Sequence, residues 1–373
     1  MSAPSPAPPS SRKGRWLVLG FVLGLASFTF LCWRDASRPP VRPVSGGTFV
    51  GKDVDGRLVS VNLFELDSSY GAAHGWQGWL YREGQGQAKW FTTETRGHPW
   101  KQAFQGRERE RDNGKPPPES TMSSTASATE LQVTLPRLAS WGSDTANLTR
   151  QFEHVSFRRL AGIRLGRVGG THEYLAQFPR LPETNAFIGA VNREIIAQCE
   201  AGAAEFNRDA FEFWRWMIRE RELMGFNQYQ FTANWQLRLL TTNLVSFSVS
   251  SYDATGGSGN HSHWSGENFI ATDGGLRRLE VRELFREGSG WDKELRVRGV
   301  PKLKAITAPR PEAVFDEDVS LDVFTLSPTG LQIYFNPYAI ASGADGEFVV
   351  HFDYAELKDL LRTDGSALVR FPR

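Results

Sequence analysis

The chain has 373 residues, 40% of them hydrophobic, with 43 Lys and Arg against 42 Asp and Glu. That length holds two or three domains with cores of their own, and the near-zero net charge leaves no global field to hold nucleic acid or an anionic membrane face. Two cysteines, Cys32 and Cys199, exclude a disulfide framework, a zinc knuckle and a dithiol redox centre.

Residues 1–15 are rich in Pro, Ser and Ala and end in Arg12, Lys13 and Arg15. The run "WLVLGFVLGLASFTFLCW", Trp16 to Trp33, then carries no charge. It would span about 27 Å as a helix, enough for a hydrocarbon core, with a tryptophan for each interface. This predicts a cytoplasmic tail at 1–15, a transmembrane anchor at 16–33 and the bulk of the chain outside the cytoplasm. Gly24-Leu25-Ala26 offers a competing signal-peptide cleavage site, which would leave the chain secreted. Both readings export it.

Residues 34–45 form a Pro/Arg/Ser linker, and a β-rich module is predicted over 46–160. "TFVGKDVDGRLVSVNLFEL" alternates on both sides of Asp55-Gly56, a hairpin signal, and "GWQGWLYREGQGQAKWFTTET" repeats the pattern around a Gly/Gln turn. Residues 107–129, "RERERDNGKPPPESTMSSTASAT", have almost no apolar side chains and are expected to form a disordered insert. Trp76, Trp79, Trp90 and Trp100 are read as core of this module ahead of a carbohydrate-stacking face.

The remainder, 161–373, mixes helix and strand. A helical run follows Pro182, from about Glu183 to Met224, with Thr184 or Asn185 as cap and Ile188, Val191, Ile195, Cys199 and Phe206 at three- and four-residue steps. Gly202 and Asn207-Arg208-Asp209 suggest a break, hence one long helix or a pair. Cys199 falls on the apolar face as a buried thiol. "QYQFTANWQLRLLTTNLVSFSVSSYDA" reads as two strands, "ENFIATDGGLRRLEVRELF" as a hairpin entering a short helix, and "LDVFTLSPTGLQIYFNPYAI" as a hairpin over Ser327 to Gly330. "GEFVVHFDYAELKDLLR" reads as a strand entering a final helix. The fold class is α+β: a membrane helix, a small antiparallel β module, and a mixed-sheet domain with one long helix or helix pair.

The order "YDATGGSGNHSHWSGENFIATDGGLRRLEVRELF" then "FTLSPTGLQIYFNPYAIASGADGEFVVHFDYAELKDLL" resembles the extracytoplasmic domain of RsiV-type lysozyme-sensing anti-sigma factors. That domain is shared with PdaC-type peptidoglycan deacetylases, and the resemblance covers about 155–365. It implies an α+β domain that binds something in the bacterial cell envelope, a lysozyme-like protein or a peptidoglycan fragment. Only about 15 residues precede the anchor, so no sigma factor is expected as partner. The deacetylase's Asp-Asp and His-x-x-x-His zinc constellation has no counterpart here. In the family's loop a histidine closely follows the glycine pair, whereas here Ser258-Gly259-Asn260 intervene before His261.

"YDATGGSGNHSHWSGENF", 252–269, is read as a loop packing glycines, histidines and a tryptophan. His261 and His263 share a face if extended and could reach one metal, but a third ligand from His351, Asp353 or Glu267 is not demanded by any spacing. Asp253, Glu267 and Asp353 are the available carboxylates. No Gly-x-Ser-x-Gly elbow and no phosphate loop occur. The expectation is therefore a non-enzymatic binding or sensing protein with no cofactor, no metal and no catalytic residues. Tyr252, Asn260, His261, His263, Trp264, Asn336 and Tyr338 are its ligand-contact candidates: aromatic, amide and imidazole groups on glycine-hinged loops. An envelope hydrolase acting on cell-wall glycan or peptide is the alternative.

Overall fold

A computed structural model of the chain describes residues 41–66, 75–82, 89–93, 104–108, 121–126, 130–136, 143–165, 168–220, 228–254, 260–273, 275–307, 319–340 and 348–362. The predicted anchor at 16–33 lies outside them. Among the described residues no helix is long and apolar enough to cross a membrane.

The β module is built from β1 (Val41–Lys52), β2 (Leu58–Leu66), β3 (Gly75–Arg82), β4 (Lys89–Thr93), β5 (Phe104–Glu108), β6 (Thr121–Ala126), β7 (Glu130–Pro136) and β8 (Ser143–Leu165). Each pairs antiparallel with the next, and β8 returns to pair with β1. The eight strands thus close into an up-and-down barrel, which removes the edges that a small open sheet would expose. β5 and β6 take both ends of the stretch expected to stay unordered.

Local chemistry starts the barrel. Gly56 turns at φ 78°, and the Asp53 carboxylate accepts the N–H groups of Asp55 and Arg57 at 2.9 Å each, so the β1–β2 connection is an Asx-stabilised turn. One face of the two strands buries Phe49, Val59, Val61 and Leu63 completely, and Leu80 of β3 joins them opposite Val61. On the other face, Thr48 Oγ1 donates to Asn62 Oδ1 at 2.8 Å and sits 2.8 Å from Nε2 of His154 on β8. Burial, helped by nearby Arg150, holds His154 down to a pKa of about 3.

β8 has 23 residues and belongs to both halves of the molecule. Its residues 143–149 pair with β7 and 147–157 with β1, while 153–165 pair with β9 (Val168–Arg180). From β9 the sheet continues through β10 (Gln228–Leu240), β11 (Leu244–Ala254), β12 (Asn260–Thr272) and β13 (Gly275–Arg278). The boundary expected near residue 160 falls inside this one strand.

β9 and β10 are parallel, which requires a crossover. It is supplied by α1 (Ala186–Glu220). Asn185 caps α1, its Oδ1 accepting the Ile188 N–H at 2.9 Å. Ile188, Val191, Ile195, Cys199, Ala203, Phe206 and Ala210 form its buried stripe. The helix is unbroken, so Gly202 is not a hinge. A Cβ there would stand 2.8 Å from the Tyr174 hydroxyl, and glycine is needed for close packing. Arg208 and Asp209 simply face solvent. Cys199 is 1% exposed, and its thiol is pushed up to about 12, first by burial and then by Glu200.

On the opposite face of the sheet lies a second one, antiparallel: β14 (Phe324–Leu326), β15 (Gly330–Phe335) and β16 (Phe348–Asp353). α2 (Trp291–Thr307) and a 3-10 turn at Val281–Leu284 complete its core, with Leu295, Leu303, Phe335, Val350 and Phe352 buried together. The final helix expected after Asp353 is only a series of turns. Leu361 bridges to Phe285, and the Arg362 N–H reaches Leu284 O at 3.0 Å, so the chain is drawn into extended pairing instead. The fold is α+β.

Candidate functional site

The stretch read as a loop is mostly strand. Tyr252, Asp253 and Ala254 pair with Ser262, His261 and Asn260, continuing the β11–β12 ladder. Only 255–259 lie outside the described residues. Small serines and a glycine hide the alternation here because the face they occupy is polar. Ser246, Ser248, Asn268 and Gln236, all at most 3% exposed, lie beneath β14–β15.

Hydrogen bonds position that second sheet. Ser246 Oγ donates to Asn268 Oδ1 at 2.6 Å and accepts the Leu326 N–H at 2.9 Å, while Asn268 Nδ2 donates to Phe324 O at 2.8 Å. Gly266 lets the backbones approach: a Cβ on it would fall 1.8 Å from Phe324 O. A lone glycine inside a strand pattern is the signal that could have revealed this contact.

Trp264 is 5% exposed and stacks on Tyr334, ring centroids 5.3 Å apart. Its ring is therefore interior rather than a surface contact. Its backbone is held by Asn336, whose Oδ1 accepts the Trp264 N–H at 2.6 Å while its Nδ2 donates to Trp264 O at 3.0 Å. The same Nδ2 lies 3.5 Å from His263 Nε2. His263 reaches solvent at one edge, and partial desolvation lowers its pKa. Tyr252 is 38% exposed on β11. The side chains of Asn260 and His261 lie outside the described residues.

Asn336 begins a turn closed by the Ala339 N–H to Asn336 O bond at 3.0 Å. Its third residue, Tyr338, has φ 69° and is 76% exposed. Glycine ordinarily takes that turn position, because a side chain in the left-handed region costs roughly 1–2 kcal/mol. Among the described residues Tyr338 is the one non-glycine at positive φ.

Glu267, His351 and Asp353, also weighed from sequence, are engaged elsewhere. Glu267 faces α1 and pairs with Arg278 at 2.9 Å; burial raises its pKa, with Arg278 and Gln198 opposing. His351 Nε2 meets Asp353 Oδ1 at 3.0 Å on β16. Among the described residues no three His, Cys, Asp or Glu converge as a metal set. A surface depression of about 440 Å³ at the start of α2 is lined by Arg286, Ser289, Glu294 and Asp359, among others. Two of its three carboxylates, Glu294 and Asp359, are paired with Arg298.

The class these observations define is an α+β domain whose main sheet carries a helix on one face and a small antiparallel sheet on the other. Within it, residues 292–355, from α2 to β16 and the turn after it, match the family model described as "Protein of unknown function (DUF3298)". No curated protein matches the chain. Among solved structures it is similar to a DUF3298 family member from Bacteroides fragilis, at 14% identity and TM-score 0.41, over 57% of this chain and 94% of that one. It is likewise similar to a DUF3298 family protein from Pseudomonas aeruginosa PAO1, at 12% identity and TM-score 0.35, over 56% of this chain and 94% of that one.

Proposed function

We propose that the protein binds or senses a ligand in the bacterial cell envelope, held to the cytoplasmic membrane by residues 16–33 with the bulk of the chain outside the cytoplasm. The ligand is a lysozyme-like protein or a peptidoglycan fragment, met where the β11–β12 tip adjoins the Asn336–Tyr338 turn. Tyr338 carries this reading. A tyrosine held in a strained backbone conformation yet exposed to solvent contributes nothing to the core, and such outliers concentrate at recognition sites. Asn336 fixes the turn to the strand backbone, so the tyrosine is presented from a rigid mount, as binding surfaces require. Tyr252 and His263 lie on the neighbouring strands. The pairing of Glu267 with Arg278 beneath α1 favours binding over turnover, since it takes that carboxylate out of reach of a ligand at the turn.

Titration of the full chain with lysozyme and, separately, with soluble muropeptides, followed by tryptophan fluorescence, tests this. One ligand should saturate the signal without product release, and Tyr338→Ala should weaken it about tenfold or more with an unchanged thermal unfolding profile. Saturation by neither, or release of cleaved product, would sink the reading.

A further inference from the structure

We infer that the outer edge of β12, at Ser262, is a strand-addition site for an extended segment of a protein partner. It rests on the binding reading and narrows the ligand to one chemistry. Along an antiparallel strand, residues alternate between those whose N–H and C=O face the neighbouring strand and those facing away. Trp264 faces away from β11, because Asn336 takes both its groups. Ser262 and Gly266, two residues to either side, therefore face away as well.

β13 covers β12 only at 269–272, and the Leu279 N–H reaches Asn268 O at 2.8 Å. Towards the tip no described strand lies on this edge. At Gly266 the backbone of Phe324 crowds in. Ser262 is exposed, and among the described residues nothing pairs with its outward N–H and C=O.

Asn336 demonstrates which occupant the edge accepts. A carboxamide carries one acceptor and one donor in the arrangement of a peptide group, and it meets the N–H and C=O of a single β12 residue as an added strand would. An extended peptide continuing that line towards the tip would do the same at Ser262. Backbone pairing would supply affinity, and the side chains flanking it, Tyr252 and Ser262 on one face and His263 on the other, would supply selectivity. The exposed Tyr338 stands on the turn that Asn336 ties to this edge. A second copy of the chain fits less well, because a twofold pairing of two β12 edges at Ser262 would bring both Asn336 side chains into the added strand's path.

Random nine-residue peptides displayed against the full chain in detergent micelles test the assignment. Peptides should be recovered whose affinity falls about tenfold or more when one central backbone nitrogen is methylated, with the protein itself unaltered. Ser262→Pro should cause a similar loss, and bound peptide should slow amide exchange at Ser262. Recovery of no peptide, or an N-methyl scan without effect at every position, overturns strand addition, as does dimerisation of the free chain that Ser262→Pro abolishes. If those failures accompany a lysozyme or muropeptide titration that Tyr338→Ala weakens, the edge assignment falls while the binding reading stands.

Discussion

On one face of the main sheet, Phe157, Tyr174, Trp235, Phe247 and Phe269 meet α1 through apolar burial and ring contacts, such as Phe157 against Tyr174 at 6.0 Å and Trp235 against Phe247 at 5.6 Å. On the other, Ser246, Asn268 and Gly266 meet β14 through hydrogen bonds and close backbone approach. Apolar contacts are non-directional and tolerate sliding. The polar seam is directional, so it sets how the second sheet, and with it the Asn336–Tyr338 turn, is placed over β12. Shape complementarity holds the helix; donors and acceptors fix the register of the second sheet over β12.

Breaking the seam at its closest approach should cost most. Gly266→Ala puts a Cβ 1.8 Å from Phe324 O, and a loss above about 5 kcal/mol in denaturant unfolding is expected. Phe247→Ala, which opens a cavity on the helix face where the ring is 0% exposed, should cost about 3–5 kcal/mol. Asn268→Ala orphans partners without opening a large void, and about 2 kcal/mol is expected. Its signature differs from that of Phe247→Ala: Tyr338-dependent binding should weaken more than global stability does.

A fourth test uses His154, at the junction of barrel and sheet. Its pKa of about 3 in the folded chain lies below the unfolded value near 6.5. Its contribution is therefore complete above pH 6.5 and is lost as pH falls from 6.5 towards 3. Between pH 7 and pH 5 the native chain should lose about 2 kcal/mol more than His154→Asn does; parallel losses would show that the folded histidine titrates normally. The smallest effect is expected from Tyr338→Gly. Relief of the left-handed strain, partly offset by added chain entropy, should stabilise by roughly 0.5 kcal/mol while binding falls.

Much of the apolar framework was legible in the sequence. The stripe from Ile188 to Phe206 predicted α1, β-branched and aromatic content predicted β10 and β11, and turn signals predicted the two late hairpins. Polar packing defeated such patterns beyond Ser251: Ser262, Ser265 and Gly266 supply no apolar side chains, so the β11–β12 tip read as a loop. Gly202 read as a break because helix propensity is local, while its cause, the ring of Tyr174, is distant in sequence. Leu357, Leu360 and Leu361 have helical spacing but are buried through turns. At the site, the residue types of Asn336 and Tyr338 singled them out. The burial of Trp264 and the exposure of Tyr338 depend on Tyr334 and on the second sheet, which no local pattern encodes.

β8 threads both the barrel and the sheet without interruption, so the two halves have no flexible joint between them at this strand. A displacement at the far end of the sheet reaches the barrel as torsion along a shared backbone ladder rather than as a swing of one body against another. Anything that grips the described end of β12 therefore pulls against a single continuous fabric of strands, one whose other end closes on itself where β1 pairs with β8.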